Sequence, residues 1–336
     1  MKEALSASHS ILCTKSLKSY AERHYDFGEL SECKFLQLGL NDTYLIRTKT
    51  EKFILRAYRL NWRTESAIAY ELDALTHLAD KGACVSKPLK RKDGKLFEVV
   101  VAPEGERFLV LFTFANGDPP NYEEQVEQQA YLYGKAAAHI HSHTDSFSTE
   151  HKRFDLSLAT LIDKPLKEIQ PLLLHRADEW EYMVGVASRL SAKIQNLLAN
   201  HDLEHGFCHG DFHGENAHYD MNGTVTFFDF DCCGNGCRAY DVATFFWGAR
   251  IQEKHRQRCR HFLRGYVEGR HFSDESLASV PYFVAVRHLW LIGLHTAISG
   301  HHGSGWLNDR YFDRQIKLLR EMDTECFTKD VHEIYL

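Results

Sequence analysis

The residues of this chain best placed to do chemistry lie in Cys208-His209-Gly210-Asp211-Phe212-His213-Gly214-Glu215-Asn216 and, a little further on, in Phe227-Phe228-Asp229-Phe230-Asp231. A carboxylate and a carboxamide five residues apart on a tight loop can face one point, and Asp211 and Asn216 have that separation. A second carboxylate at the end of a following hairpin strand, Asp229, can share a divalent cation with Asn216. Magnesium takes a few protein oxygens and completes its octahedron with water and phosphate oxygens. Phosphoryl transfer requires such a set: a held metal, an oriented hydroxyl and a carboxylate near that hydroxyl's proton. The expectation is magnesium on Asn216 and Asp229 with Asp211 as the base. Taken alone, Asp211 would be an ordinary turn or cap residue.

Other clusters point less clearly to chemistry. Basic residues group at Arg56, Arg59 and Arg63 and at Lys254, Arg256, Arg258 and Arg260, runs that usually form solvated helix faces. A formal charge of −6 argues against nucleic acid as a partner, since phosphate contacts need a concentrated basic face. Nine cysteines are scattered along the chain, and only Cys232, Cys233 and Cys237 cluster, at a spacing unlike a zinc knuckle. Among 21 histidines, His139, His141 and His143 cannot all share one helix face, and His301-His302 sits in a Gly-Ser stretch. A zinc hydrolase built on histidines stays as a distant alternative.

These residues need a scaffold. Cys33–Leu38, Thr43–Arg47 and Lys52–Tyr58 are short β-branched and aromatic runs, and Glu65–Ala79 carries an apolar helical stripe. Val85–Leu89, Phe97–Val101 and Arg107–Phe114 look like further strands. Gly117-Asp118-Pro119-Pro120 breaks the pattern, and helices are expected near 122–144, 178–200, 238–249, 252–268, 281–299 and 308–322. Two short strands, Ala217–Tyr219 and Val225–Phe228, interrupt them. The fold class expected is α+β: a small antiparallel sheet with one helix over residues 1–114, and a larger, mainly helical lobe over 115–336. The apolar stretches, Phe108–Phe114 and Leu289–Leu294 among them, are too short to span a bilayer, and the N-terminus lacks a secretory core, which implies a cytoplasmic protein with no membrane partner.

The order His209-Gly210-Asp211, Asn216 and Asp229-Phe230-Asp231 follows the logic of the protein-kinase motifs H-R-D-x4-N and D-F-G. With His213 as second histidine and Asp241-Val242-Ala243 as a last element, it resembles the aminoglycoside phosphotransferase and choline kinase superfamily. The run and the segment Gly305-Trp306-Leu307-Asn308-Asp309 to Leu319 look closest to the branch holding homoserine kinase type II and the stress-response kinase A type. The resemblance implies a protein-kinase-like two-lobed fold, with the nucleotide bound by the first lobe and the acceptor by the second. Phe53-Ile54-Leu55-Arg56 looks like the family's third strand, Glu71 like the acid of its helix, and Phe112-Thr113-Phe114 like the hinge whose backbone meets the purine. Arg56 stands where lysine is usual; arginine keeps the charge but binds phosphate through a planar fork.

The reaction implied is transfer of the γ-phosphoryl group of ATP to a hydroxyl. Asp211 is its base, Asn216 and Asp229 are its metal ligands, and Arg56 paired with Glu71 positions the nucleotide. His209, His213 and Asp241 are read as supports of the loop. Asp231 is left between a substrate-facing carboxylate, a second metal contact and a solvated acid, and Arg287 is a candidate for the acceptor pocket. The acceptor implied is a small amino alcohol, amino acid or aminoglycoside, which an acidic cleft of Asp211, Glu215, Asp229 and Asp231 would suit. The alternatives are Ser/Thr side chains of proteins, as in the stress-response type, or a nucleotide-binding pseudokinase scaffold without turnover.

Overall fold

The computed structural model describes residues 5–252 and 255–336; Lys254 of the second basic cluster and the first four residues of the N-terminal reading lie outside them. The chain divides into two compact units, Met1–Asn116 with Thr149–Arg153, and Gly117–Ser148 with Phe154–Leu336.

In the first unit, helix α1 (Thr14–His24) precedes β1 (Glu32–Leu38), β2 (Asp42–Arg47), β3 (Lys52–Ala57), α2 (Glu65–Asp80), β4 (Phe97–Ala102) and β5 (Gly105–Thr113). The strands form one antiparallel sheet in the order β1-β2-β3-β5-β4. Alternation along the strands sends Tyr44, Ile46, Phe53, Leu55, Ala57, Leu109 and Leu111 to one face, where they pack with Leu17, Tyr20 and Ala21 of α1. Helix α1 is an addition to the single helix expected; its apolar residues are few, and burial against the sheet rather than a cap stabilises it. Arg56 alternates with Leu55 and so faces the other side, toward α2, whose start is capped by the Thr64 hydroxyl accepting from Ala67 N–H at 3.2 Å.

Val85–Leu89 is not a strand. It makes isolated bridges instead of a ladder: Pro88 lies opposite Phe112, with Leu89 N–H donating to the Leu111 carbonyl at 2.8 Å and the Lys87 carbonyl accepting from Thr113 N–H at 2.9 Å. The solvated reading of the first basic cluster also fails, because Arg56 and Arg59 are 8% and 4% exposed. Arg59 is drawn onto the β1–β2 turn, donating to the Gly39 carbonyl at 2.6 Å.

The second unit holds α3 (Val126–His143), α4 (Lys164–Ile169), α5 (Ala177–Asn200), α6 (Ala239–Arg250), α7 (His255–Gly269), α8 (Asp274–His302), α9 (Asp309–Thr328) and α10 (Val331–Tyr335). Two small antiparallel ladders sit among them: β6 (His205–Cys208) with β9 (Gly234–Cys237), and β7 (Ala217–Tyr219) with β8 (Val225–Phe227). The β6–β9 pair, absent from the sequence reading, is short and glycine-rich. Helix α8 runs 29 residues, from a Ser273 cap through Pro281, so His301-His302 belongs to its last turn rather than to a loop. By length and composition it is apolar enough to cross a membrane, against the expectation that no stretch is. However, 67% of that stretch is buried and the helix packs on α4, α5, α6 and α9, the pattern of a central core helix. Arg258 of the second basic cluster is likewise buried, its guanidinium 3.9 Å from the Tyr122 ring centre.

The first unit is tied by one buried cation. Arg107, fully buried, donates to Asp42 at 2.8 Å, Glu104 at 3.3 Å and the carbonyls of Tyr58, Ala57 and Ser10. Removing one partner of such a pair leaves an uncompensated buried charge, so Arg107→Met is expected to lower the unfolding free energy of this unit by about 3–5 kcal/mol in urea titrations. A change below about 1 kcal/mol would mean that the network is solvated and contributes like a surface pair.

Candidate active site

The loop after β6 is built around a buried carboxylate. Asp241, in the first turn of α6, is fully buried; its Oδ2 accepts from His209 N–H at 2.7 Å and its Oδ1 from Gly210 N–H at 2.8 Å. His141 of α3 adds a third contact, Nε2 to Asp241 Oδ2 at 3.0 Å, while its Nδ1 meets the Tyr266 hydroxyl at 2.6 Å. Burial lowers the His141 pKa, so a neutral ring donating from Nε2 fits both bonds. Gly210 has φ +78°, and a Cβ there would stand 2.1 Å from the Cys232 carbonyl, so no other residue fits.

His209 links this loop to the next hairpin. Its Nδ1 accepts from Asp211 N–H at 3.2 Å, which leaves Nε2–H to donate to the Phe228 carbonyl at 3.0 Å. The ring is packed between Phe212 and Phe230, and burial pushes its pKa down to about 4.

Asp211 is met by three donors. Arg287 Nη2 pairs with Oδ1, Asn216 Nδ2 donates to Oδ2 at 3.0 Å, and His213 Nε2 lies 3.5 Å from Oδ2. Burial acts to raise the Asp211 pKa, but Arg287 and then His213 hold it far below the usual carboxylate range. Burial lowers and Asp211 raises the His213 pKa, and the net shift is upward. Asn216 Nδ2 also donates to the Asp211 carbonyl at 2.9 Å, so its Oδ1 is the atom left to bind a cation.

The ladder brings the backbone before Asp229 alongside Asn216. Ala217 pairs with Phe227, and Phe228 N–H donates to the Asn216 carbonyl at 3.1 Å, so Asp229 follows directly on the residue bonded to Asn216. It is exposed and left-handed, with φ 62° and ψ 58°, a region aspartate tolerates at a cost and one that recurs at functional sites. The donors offered, an amide oxygen and a carboxylate, are hard and few. Among the described residues no group of three or more His, Cys, Asp or Glu is arranged to hold a metal. The pair therefore fits a hard cation that brings its own water and phosphate oxygens, and not one caged by protein alone.

Within the first unit, Arg56 Nη1 lies 2.7 Å from Glu71 Oε1, and the Tyr58 hydroxyl donates to Glu71 Oε2 at 2.9 Å. Arg56 also lies over the Phe112 ring, at 4.9 Å. Arg153 stands 3.6 Å from Glu71 Oε2, so the buried carboxylate is flanked by two guanidinium groups. Arg153 and Tyr58 carry no motif signal and were not expected. In the hinge segment, Thr113 N–H is committed to the Lys87 carbonyl at 2.9 Å, so a purine edge would be met there by other backbone groups. Phe114 lies under the Lys52 ammonium, 5.1 Å from the ring centre.

Two further readings change. Arg287, a candidate for the acceptor pocket, is 2% exposed and engaged with Asp211 and the Gly210 carbonyl. Asp231 is 2% exposed, which removes its reading as a solvated acid, whereas Glu215 is exposed and lies near Gln252. His141, set aside with the other histidines, proves to be part of the Asp241 brace; helical spacing alone cannot single out the one histidine of three that faces inward.

His209 and His288 are both buried with pKa values near 4, below the ordinary imidazole value of the unfolded chain. Between roughly pH 6.5 and pH 4 the unfolded state binds more protons, so stability falls as pH is lowered through that window, by up to about 1.4 kcal/mol per unit for each residue. In urea titrations across this range, His288→Gln should give a shallower slope than the parent. Equal slopes would show that His288 titrates normally.

A model of the phosphotransferase enzyme family matches residues 33–278. An uncharacterized protein of Deinococcus radiodurans is 36% identical over 321 residues, 94% of this chain and 92% of its own. A homoserine kinase of Bradyrhizobium sp. is 25% identical over 264 residues, 76% of this chain and 77% of its own. Among solved structures, an amicoumacin kinase in complex with AMP-PNP, Ca2+ and Ami aligns with a TM-score of 0.75 at 21% identity, covering 95% of this chain and 96% of that one. That likeness establishes a protein-kinase-like fold. The matched span contains Asp211, Asn216, Asp229 and Asp241, and the chain belongs to the phosphotransferase enzyme family as a kinase-type phosphotransferase.

Proposed function

We propose that this chain moves the γ-phosphoryl group of magnesium-bound ATP to a hydroxyl of a small amino-alcohol, amino-acid or aminoglycoside-like acceptor. The observation that carries this reading is the meeting of Asp211 and Asn216 by direct hydrogen bond, with Asp229 joined to Asn216 through the β7–β8 ladder. Asn216 Oδ1 and the Asp229 carboxylate would hold the cation. A magnesium ion held there would supply Lewis-acid charge neutralisation for the transferring phosphoryl group.

Asp211 orients the acceptor hydroxyl and takes its proton as the new O–P bond forms and the bond to the β,γ-bridging oxygen breaks. ADP leaves with that bridging electron pair. Arg56, fixed by Glu71, is the residue for the α- and β-phosphates; Glu71 is flanked by Arg56 and Arg153, which favours leaving positive charge for an anion. The first unit is thus read as nucleotide-binding and the second as catalytic and acceptor-binding. A reaction drawing on ATP fits the cytoplasm.

Acidity around Asp211 gives no preference for a cationic acceptor, since Arg287 offsets Asp211 and Asp231 is buried. Support for a small acceptor comes from the relatives, among them a homoserine kinase and an amicoumacin kinase. Incubating purified protein with γ-radiolabelled ATP and a metabolite library should place label on a small hydroxyl compound. Asp211→Asn should lower that turnover by about 10²–10⁴ while nucleotide binding survives. Label confined to protein Ser or Thr would replace the acceptor reading, and full turnover in Asp211→Asn would remove Asp211 as base.

A further inference from the structure

Arg287 lies on α8, distant in sequence from the loop it touches. Its guanidinium spans two groups there, donating from Nη1 to the Gly210 carbonyl at 3.1 Å and from Nη2 to Asp211 Oδ1. Two indole rings wall it in, that of Trp290 at 4.4 Å and that of Trp247 at 5.6 Å. A guanidinium cannot lose its charge in a protein, and its planar fork fixes direction where an ammonium would not. At 2% exposure the group is also shut away from any ligand that approaches through solvent.

A carboxylate offers about four acceptor positions. On Asp211 three are faced by Arg287, Asn216 and His213. We infer that Arg287 is the positioning residue of Asp211: by bridging the Gly210 carbonyl and Oδ1 it fixes the carboxylate's direction and leaves one acceptor position open to the incoming hydroxyl. This rests on Asp211 being the group that meets that hydroxyl. A consequence is that Asp211 acts chiefly by orientation: its charge is compensated before the acceptor arrives, so it does not select acceptors by attracting cations. The same ion pair would be present if Arg287 merely fastened α8 to the loop, and kinetics separate the two.

Arg287→Met keeps the apolar stem between the indoles and removes the fork. Turnover would be followed as loss of label from γ-radiolabelled ATP, to free phosphate with water as acceptor or to a phosphate ester with added homoserine. The expected result is a fall in kcat of about a hundredfold, the scale of a small misplacement of a reacting group, with KM for ATP changed less than about threefold. Arg287→Lys should lie between parent and Arg287→Met. In an Asp211→Asn background, Arg287→Met should cost less than about threefold more, because residues acting through one another are not additive. The inference is overturned by parent-like kcat in Arg287→Met or Arg287→Lys, or by an undiminished loss in the Asp211→Asn background. Should Arg287→Met not fold, Arg287→Lys against parent decides alone. Full activity in Asp211→Asn itself overturns the reading of Asp211 and this inference with it; an inactive Asp211→Asn beside a fully active Arg287→Met overturns this inference only.

Discussion

The loop that carries the candidate site depends on one fully buried carboxylate. Asp241 holds the backbone N–H groups of His209 and Gly210 and is itself held by His141. A turn as tight as the one at Gly210 exposes N–H groups that regular structure cannot satisfy, and buried donors left unmet cost about 1–3 kcal/mol each. Asp241 answers both at once. Everything downstream inherits its position: the imidazole of His209, the direction of Asp211 and, through the Phe228 carbonyl, the start of the turn at Asp229.

Charge is arranged in pairs that leave little to solvent. In the second unit Arg287 meets Asp211; in the first, Arg56 and Arg153 meet Glu71. Such pairs contribute little net stability, because desolvation offsets much of their attraction. Their effect is on geometry: a guanidinium fork fixes where a carboxylate points. Aromatic faces complete each arrangement, Phe112 for Arg56 and the two tryptophans for Arg287.

How much of this could be read beforehand differs by element. The contact of Asp211 with Asn216 and the bracing of the loop by Asp241 were legible because residue type and spacing together restrict the geometry. Strands β1–β3 and helix α2 were legible from periodicity. What escaped was tertiary: α1 is held by a sheet formed later in the chain, β6 and β9 are four residues each, and Val85–Leu89 makes isolated bridges in place of a ladder. Arg287 was noticed but placed toward an acceptor, since no local signal shows that a residue 76 positions away supplies its partner. Arg153, in a segment without pattern, gave no signal at all.

The central claim is that Asn216 and Asp229 share one cation beside Asp211. Crystals grown with manganese and a non-hydrolysable ATP analogue would test it through the anomalous signal of the metal. The account predicts a peak within direct coordination distance, about 2 Å, of Asn216 Oδ1 and an Asp229 carboxylate oxygen, with Asp211 close by but not ligating. A metal bound to the phosphates with Asn216 or Asp229 turned away from it would contradict the account.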